Sequence, residues 1–226
     1  MNFRHEIKHY INAADVISLR QKLKFVASKD KNSDENGQYK VRSLYFDNIF
    51  DKALKEKIDG LNKREKFRIR FYNDNYDFIN LEKKYRMNNL GIKKQTRLTK
   101  QQCESIINLS CIEWMKVSEY PLLVEFYSKL KYQQLRPKTI VDYNREAYTF
   151  KAGNVRITID SNIKTGYYSK DLFNPNLIIL PIPESNSIIL EVKYDEYLPS
   201  VIKDIVQLEN RSYTSFSKYR ACRLYG

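Results

Sequence analysis

The chain has 226 residues, 42% of them hydrophobic and 18 of them tyrosine, enough for one substantial core. Lys and Arg number 40 against 27 Asp and Glu, a formal charge of +13, so an anionic partner is expected: nucleic acid, an acidic membrane surface or a polyanionic small molecule. Cys103, Cys111 and Cys222 match no zinc or disulfide spacing, which excludes a disulfide scaffold and predicts buried or partly buried free thiols.

Phe3 to Lys8 reads as a first strand, with Arg4, Glu6 and Lys8 on one face. Asn12 is a predicted N-cap, and Val16, Leu19, Leu23 and Val26 follow at helical spacing to about Ala27. Residues 28–38 form a polar loop before a strand from Tyr39 to Asp47. In that strand Arg42 shares its face with Leu44 and Phe46, which gives it no place in a charged site. A short helix from Phe50 to Ile58 is expected to end near Gly60.

Lys66-Phe67-Arg68-Ile69-Arg70-Phe71 organises the reading. Strand alternation puts Lys66, Arg68 and Arg70 on one side and the apolar residues on the other. A turn at Asn73-Asp74-Asn75 leads to the hairpin partner Phe78–Arg86, in which Asn80, Glu82, Lys84 and Arg86 share a parity. A second turn at Asn88-Asn89 precedes a strand from Ile92 to Leu98, with Lys93, Gln95 and Arg97 on one face. Thr99 and Gln102 make a capping box for a helix Lys100–Asn108, and Ser118–Leu130 reads as a helix burying Leu122, Val124, Phe126 and Leu130.

Thr139 to Phe150 is a strand pair or one long bent strand, with Tyr143 and Arg145 on the same parity. Val155–Asp160 alternates cleanly, setting Arg156, Thr158 and Asp160 against Val155, Ile157 and Ile159. Residues 161–185 are irregular, Ile188–Tyr194 is the last strong strand with Glu191 and Lys193 together, and two helices follow, from Pro199 and around Ser217–Arg220. No repeat or linker divides the chain. The fold expected is α+β: one domain, dominated by an antiparallel barrel of about eight strands with helices packed outside.

The six glycines are scattered, so no Walker loop or dinucleotide fingerprint exists, and any phosphate grip must come from side chains. His5 and His9 lack a metal-ligand pattern and lie opposite Glu6 and Lys8, so both are expected to be structural, and no Ser–His–Asp triad can be nominated. A lone cationic strand face commonly serves to deter edge pairing. Recurrence over at least five strands, each with an apolar opposite face, points instead to an inward lining that needs counter-anions. Glu6, Glu82 and Glu191 lie on the same faces as Lys8, Lys84 and Lys193. They are either plain ion-pair partners or ligands of a hard cation bound with a polyphosphate, and a nucleic-acid groove gains little from them.

In order, Arg4-x-Glu6-x-Lys8, Ser43-Leu44-Tyr45-Phe46-Asp47, Arg68-x-Arg70, Glu82-x-Lys84, Tyr143-x-Arg145, Glu191-x-Lys193 and Ser217-Lys218-Tyr219 resemble the catalytic domain of vacuolar transporter chaperone (VTC) polyphosphate polymerases, in the triphosphate tunnel metalloenzyme superfamily. The resemblance spans nearly the whole chain and implies a single domain over 1–226, an eight-stranded antiparallel β-barrel tunnel with helices outside. It also implies transfer of the γ-phosphate of ATP to a growing polyphosphate, with Mn2+ or Mg2+. On the matched positions, Lys8, Arg68, Arg70, Lys84, Arg97, Arg145, Arg156 and Lys193 hold phosphates, and Tyr143, Ser217 and Lys218 sit near the transferred or product phosphate. Arg68, Arg70 and Lys218 are the catalytic candidates, and Glu191 and Glu6 the metal ligands. The partners implied are ATP, orthophosphate and inorganic polyphosphate, with no nucleic acid.

Tunnel enzymes that hydrolyse triphosphates often begin Glu-x-Glu-x-Lys; Arg4 at the first position removes one metal ligand and favours a one-metal site. The alternatives kept are a tunnel-family triphosphatase, a non-catalytic polyphosphate-binding module and an RNA-binding protein. No signal-peptide pattern and no run of ~18 apolar residues is present, so a cytoplasmic location is expected, with membrane tethering by another subunit left open.

Overall fold

Alternating apolar and charged residues make a strand with one face to bury, and eight long or medium strands of this kind shape the molecule. A computed structural model describes residues 3–30, 33–35, 37–88, 90–183, 188–208 and 210–224. The strands are β1 (His5–Ile11), β2 (Ser28–Lys29), β3 (Gln38–Asp47), β4 (Lys63–Tyr72), β5 (Asn75–Met87), β6 (Leu90–Leu98), β7 (Arg136–Phe150), β8 (Val155–Thr165), β9 (Leu180–Pro181) and β10 (Ile188–Tyr194). The helices are α1 (Ala13–Val26), α2 (Lys52–Ile58), α3 (Lys100–Asn108), α4 (Pro121–Tyr132), α5 (Ser200–Val206) and α6 (Lys218–Leu224). The expected turn residue Asn89, and residues 31, 32, 36, 184 and 185 of the two expected irregular stretches, lie outside the described residues.

The sheet is antiparallel, in the order β1-β10-β8-β7-β3-β4-β5-β6, with the two-residue β2 and β9 added to β7 and β8. Among the described residues no ladder joins the ends of this path, unlike the closed barrel expected. A single bridge does: Arg4 and Gly91 exchange two backbone hydrogen bonds of 3.2 Å, bringing β1 and β6 together at one point. The stretch from Thr139 is one strand rather than a pair. Its register on β3 shifts between Tyr45 and Phe46, where Pro137, which has no N–H to give, meets Phe46.

Helices cover the outer face in two groups. α3 and α4 bury Ile106, Phe126 and Leu130 against Leu44, Phe46, Phe67, Ile69 and Phe71. α1 and α5 bury Leu19, Leu23 and Ile202 against Ile157, Ile159, Leu190 and Val192. The apolar parities therefore point outward and the charged parities inward. A third apolar cluster includes Tyr39, Val41, Tyr143 and Ile189 of that inward parity, together with Tyr219 of α6, so the inner lining is part aromatic rather than uniformly charged.

Local signals place the helices. Asn12 and Asp15 form the reciprocal cap of α1, at 2.9 and 2.8 Å, and Thr99 and Gln102 that of α3. Asp51, ahead of α2, makes no side-chain cap; buried Asp47 accepts from the backbone N–H groups of Ala53 (2.9 Å) and Leu54 (3.1 Å) instead. The α4 prediction starts too early: Pro121 occupies its first turn and a 3-10 turn, Glu113–Val117, precedes it. Val124 is exposed and Leu123 is buried in its stead, because Leu123 falls on the stripe of Leu122, Phe126 and Leu130. Cys103 and Cys222 are buried as expected, whereas Cys111 is exposed beyond the end of α3. No helix among the described residues is long and apolar enough to cross a membrane.

Arg42 faces outward and is buried. Its guanidinium donates to both oxygens of buried Asp142 at 2.9–3.0 Å and to the carbonyl of Asn174 at 2.7 Å, pinning the irregular segment onto β3 and β7. Arg42→Ala leaves that buried carboxylate with Lys40 at 3.9 Å and no guanidinium, and should lower the unfolding free energy by about 3 kcal/mol, read from urea denaturation. A midpoint equal to the parent's would contradict this account of Arg42.

Candidate functional site: an inward cluster of cations and carboxylates

Strand register sets the inward side chains in rows. Ser43 and Tyr45 of β3 face Arg70 and Arg68 of β4. Arg68 and Lys66 face Glu82 and Lys84 of β5. Glu6 and Lys8 of β1 face Lys193 and Glu191 of β10, and Arg145 of β7 faces Asp160 of β8.

Four carboxylates hold the cations. Glu82 accepts from Arg68 Nε at 2.7 Å and from Lys93 Nζ at 3.2 Å, with Arg70 Nη1 at 3.9 Å. Asp160 takes Arg145 on both oxygens, at 2.6 and 2.8 Å, and Lys218 at 2.6 Å. Glu191 lies 2.6 Å from Lys193 and 4.0 Å from both Lys8 and Arg145. Glu6 accepts from Lys84 at 2.6 Å and sits 3.1 Å from Lys8.

Hydroxyls and rings complete the settings. Arg70 donates to Ser43 Oγ and Arg68 to the Tyr45 hydroxyl, each at 2.8 Å. The Tyr143 ring lies 4.7 Å from the Lys218 ammonium, 5.2 Å from the Arg145 guanidinium and 5.8 Å from that of Arg70. A ring holds a cation through its quadrupole without cancelling the charge.

Electrostatics follow from this crowding. Burial works against ionised Glu191, but Lys193, Lys8, Lys84 and Lys218 outweigh it and hold its pKa well below the ordinary carboxylate range. Glu82 is lowered likewise by Arg68, Arg70 and Lys93 against burial. Asp160, opposed by burial but beside Arg145 and Lys218, comes down to about 2. Lys8 gains more from Glu191 and Glu6 than burial takes away, and its pKa is raised. Lys66 moves the other way: burial, then Lys84, Lys57, Lys8 and Arg64, push it well below the usual lysine value. Burial, then Arg64, Lys8, Arg86 and Arg220, bring Lys57 on α2 to about 8.

The structure brings Glu6, Lys8, Arg68, Arg70, Lys84, Tyr143, Arg145, Glu191, Lys193, Ser217 and Lys218 to this inward cluster; Ser217 enters through its hydroxyl, 3.1 Å from Lys66 Nζ. Arg97 stands apart: exposed, its guanidinium lies 4.0 Å from the Phe78 ring centroid and donates to the Asp77 carbonyl. Arg156 is also engaged elsewhere, by Asp30 at 2.5 Å and the Tyr39 hydroxyl at 3.0 Å. Arg4 pairs with Asp195. His5 stacks on Tyr194 and His9 packs on Tyr213, away from the cluster.

Sequence reasoning did not nominate Lys66, Ser43, Tyr45 or Asp160. Each carried a signal, since Lys66 shares the parity of Arg68 and Arg70, Ser43 and Tyr45 are opposite in parity to Leu44 and Phe46, and Asp160 is opposite in parity to Ile157 and Ile159.

Glu6 and Glu191, on neighbouring strands and both ionised, offer hard oxygen donors of the type a divalent cation takes. Among the described residues no group of three or more His, Cys, Asp or Glu side chains is arranged to hold a metal. The pair therefore fits a cation that completes its shell with phosphate oxygens and water, and does not fit an all-protein cage.

Among solved structures, a candidate adenylyl cyclase from Hippeastrum, HpAC1, which has a dominant triphosphatase activity, superposes with a TM-score of 0.55 at 12% identity, over 98% of this chain and 95% of its own. A candidate adenylate cyclase from Bacillus halodurans overlaps less closely, with a TM-score of 0.47 at 11% identity, over 84% and 81%. PH1012 from Pyrococcus horikoshii gives 0.44 at 12%, over 89% and 85%. The first likeness bears on fold alone and, with the inward charged rows, defines an α+β protein of the triphosphate tunnel type. No curated protein matches in sequence. A VTC domain model matches residues 3–225, and the chain belongs to the VTC domain family.

An anion seated beside Lys57 and Lys66 favours their protonated forms and raises both pKa values. Binding of long-chain polyphosphate at pH 8 should thus be accompanied by proton uptake, measured by calorimetry in buffers of different ionisation enthalpy. Proton release, or none exchanged, would show that these ammonium groups lie off the anion's path.

Proposed function

We propose that this chain is a metal-dependent polyphosphate polymerase that transfers the γ-phosphate of ATP to a growing inorganic polyphosphate inside the basic bore. The observation that carries the reading is the convergence of Lys8, Arg68, Arg70, Lys84, Arg145 and Lys218 from four strands and α6 onto one inward cluster, in a member of the VTC domain family. Phosphoryl transfer requires alignment and charge neutralisation above all, and preorganised cations supply both.

In the step itself, a terminal phosphate oxygen of orthophosphate or polyphosphate attacks the γ-phosphorus. The bond from that phosphorus to the β,γ-bridging oxygen breaks, and ADP departs with the electron pair. The attacking oxygen is already ionised at neutral pH, so no general base is needed. This suits the site, where Glu6, Glu82, Asp160 and Glu191 are all held as weak bases by their cations. Arg68 and Arg70 bridge oxygens of the transferred phosphate, a task for planar guanidinium groups, and Lys218 neutralises charge beside Tyr143. Lys8, Lys84, Arg145 and Lys193 hold the remaining phosphates, Ser217 and Tyr143 line the product side, and Arg97 and Arg156 steer anions toward the bore. A Mn2+ or Mg2+ ion on Glu191 and Glu6 would neutralise further phosphate charge when bound.

Hydrolysis of a triphosphate is the second reading, favoured by the fold shared with HpAC1, in which triphosphatase activity dominates. Purified protein incubated with ATP and Mn2+ separates the two. The polymerase reading expects long polyphosphate on a gel with matching ADP; orthophosphate as the sole phosphate product would overturn it. Arg70→Ala should lower turnover by ~10²-fold or more, as for loss of one preorganised transition-state donor. Turnover near the parent's would remove Arg70 from the site. Glu191→Gln should abolish the metal-dependent activity, and an unchanged Mn2+ dependence would contradict its assignment.

A further inference from the structure

We propose that Phe78 and Asn80, at the end of the bore where β4 finishes, form a subsite for the nucleoside of a nucleoside triphosphate, with the base stacked on the Phe78 ring. The inference rests on the reading of ATP as phosphoryl donor, and it concerns the nucleoside rather than the phosphates.

The backbone turns Phe78 toward this mouth. Arg70 faces Asn80 across the β4–β5 ladder, yet Tyr72 faces Asn75, so residues 76–79 stand opposite the single Phe71. A bulge of this kind re-aims the side chains it carries. Tyr76 packs on Phe71 and Phe173, and Ile79 is buried in the same outer cluster. Strand alternation sets Phe78 opposite Ile79, on the side of Asn80. There it joins none of the three apolar clusters and is 55% exposed.

The ring is exposed but held. The Arg97 guanidinium lies 4.0 Å from its centroid and donates to the Asp77 carbonyl at 2.6 Å, which fixes the guanidinium in turn. One face of Phe78 is thus occupied, and its exposure belongs to the other face and the edge. Tyr39 and Tyr72, 5.7 Å apart, add two more rings where β3 begins and β4 ends.

Asn80 supplies polar recognition. Half-buried in the row of Arg70 and Arg97, it makes no side-chain hydrogen bond among the described residues. An amide offers donors and an acceptor together, the complement of sugar hydroxyls and base edges; a phosphate would use only the donors.

Order along the strands sets the fit. Arg70, which holds phosphate in the ATP reading, faces Asn80, and Phe78 follows two residues on, at most roughly 7 Å further. A sugar bridges such an interval, between a phosphate on Arg70 and a base on Phe78. Where β4 begins, by contrast, Lys66 faces Lys84 and Arg64 faces Arg86, cations only.

The test compares equilibrium binding of ATP and of tripolyphosphate, which has three phosphates and no nucleoside, to the full chain. Phe78→Leu should weaken ATP binding by about tenfold, within the range for losing one base–aromatic stack, and leave tripolyphosphate within about twofold. Phe78→Trp keeps an aromatic face and should bind ATP within about threefold of the parent. Asn80→Leu should also weaken ATP selectively. Tyr132→Leu, at an exposed ring on α4, should change neither affinity. Equal losses for both probes, unchanged ATP affinity in Phe78→Leu or in Asn80→Leu, a Trp variant as weak as the Leu variant, or a matching loss in Tyr132→Leu would each overturn the subsite. Selective loss of ATP binding in a protein that makes only orthophosphate would defeat the polymerase reading and leave the subsite standing.

Discussion

Removing an ammonium or guanidinium group from water costs several kcal/mol unless a counter-charge and hydrogen bonds meet it. The inner face of this sheet concentrates such groups, and the arrangement persists because Glu82, Asp160 and Glu191, all buried, together with Glu6, share the strand parity of the cations they hold. Each carboxylate serves two or more cations, so positive charge remains in excess. Part of that excess is held by hydroxyls and rings: Ser43 under Arg70, Tyr45 beside Arg68, and Tyr143 against Arg70, Arg145 and Lys218. A site built this way is fixed before an anion arrives and still short of negative charge.

Two buried carboxylates supply rigidity. Asp47 ends β3, caps α2 through two backbone N–H groups and accepts from the Tyr219 hydroxyl at 2.7 Å, so one buried carboxylate ties β3, α2 and α6 together. Through α6 that tie also positions Lys218, whose ammonium reaches Asp160 on β8. Arg42 and Asp142 do the corresponding work for the segment that covers β3 and β7. The Arg42–Asp142 pair lies on the outer face, whereas Tyr219 of the Asp47 tie also meets the inward cluster, stacked on Tyr45 at 5.0 Å with Lys66 5.1 Å from its ring.

Much of this was legible because strand parity is a hard constraint. Once Phe67, Ile69 and Phe71 must be buried under helices, Lys66, Arg68 and Arg70 have one remaining direction, and the same holds for Glu191 and Lys193 opposite Leu190 and Val192. Partner choice was harder to read. Glu6 and Glu191 do meet the lysines two residues along, but Glu82 turns to Arg68 across the sheet rather than to Lys84 beside it. Directly opposed side chains on adjacent strands are closer than those two apart on one strand, and register is not visible in a lone sequence. The ring ends escaped for a similar reason: Arg97 shares a parity with Lys93 and Gln95, but lies toward the end of β6, where Phe78 and the Asp77 carbonyl capture it. Val124 misled because its spacing from Phe126 fits a strand and not the stripe of a helix.

The most direct measurement is a crystal structure of the protein with tripolyphosphate bound. The account predicts the anion among Arg68, Arg70 and Lys84 on the inward face, with the helices and outer anchors unmoved. Tripolyphosphate held on the outer surface, with the inward ion pairs of Glu82, Asp160 and Glu191 left intact, would contradict it.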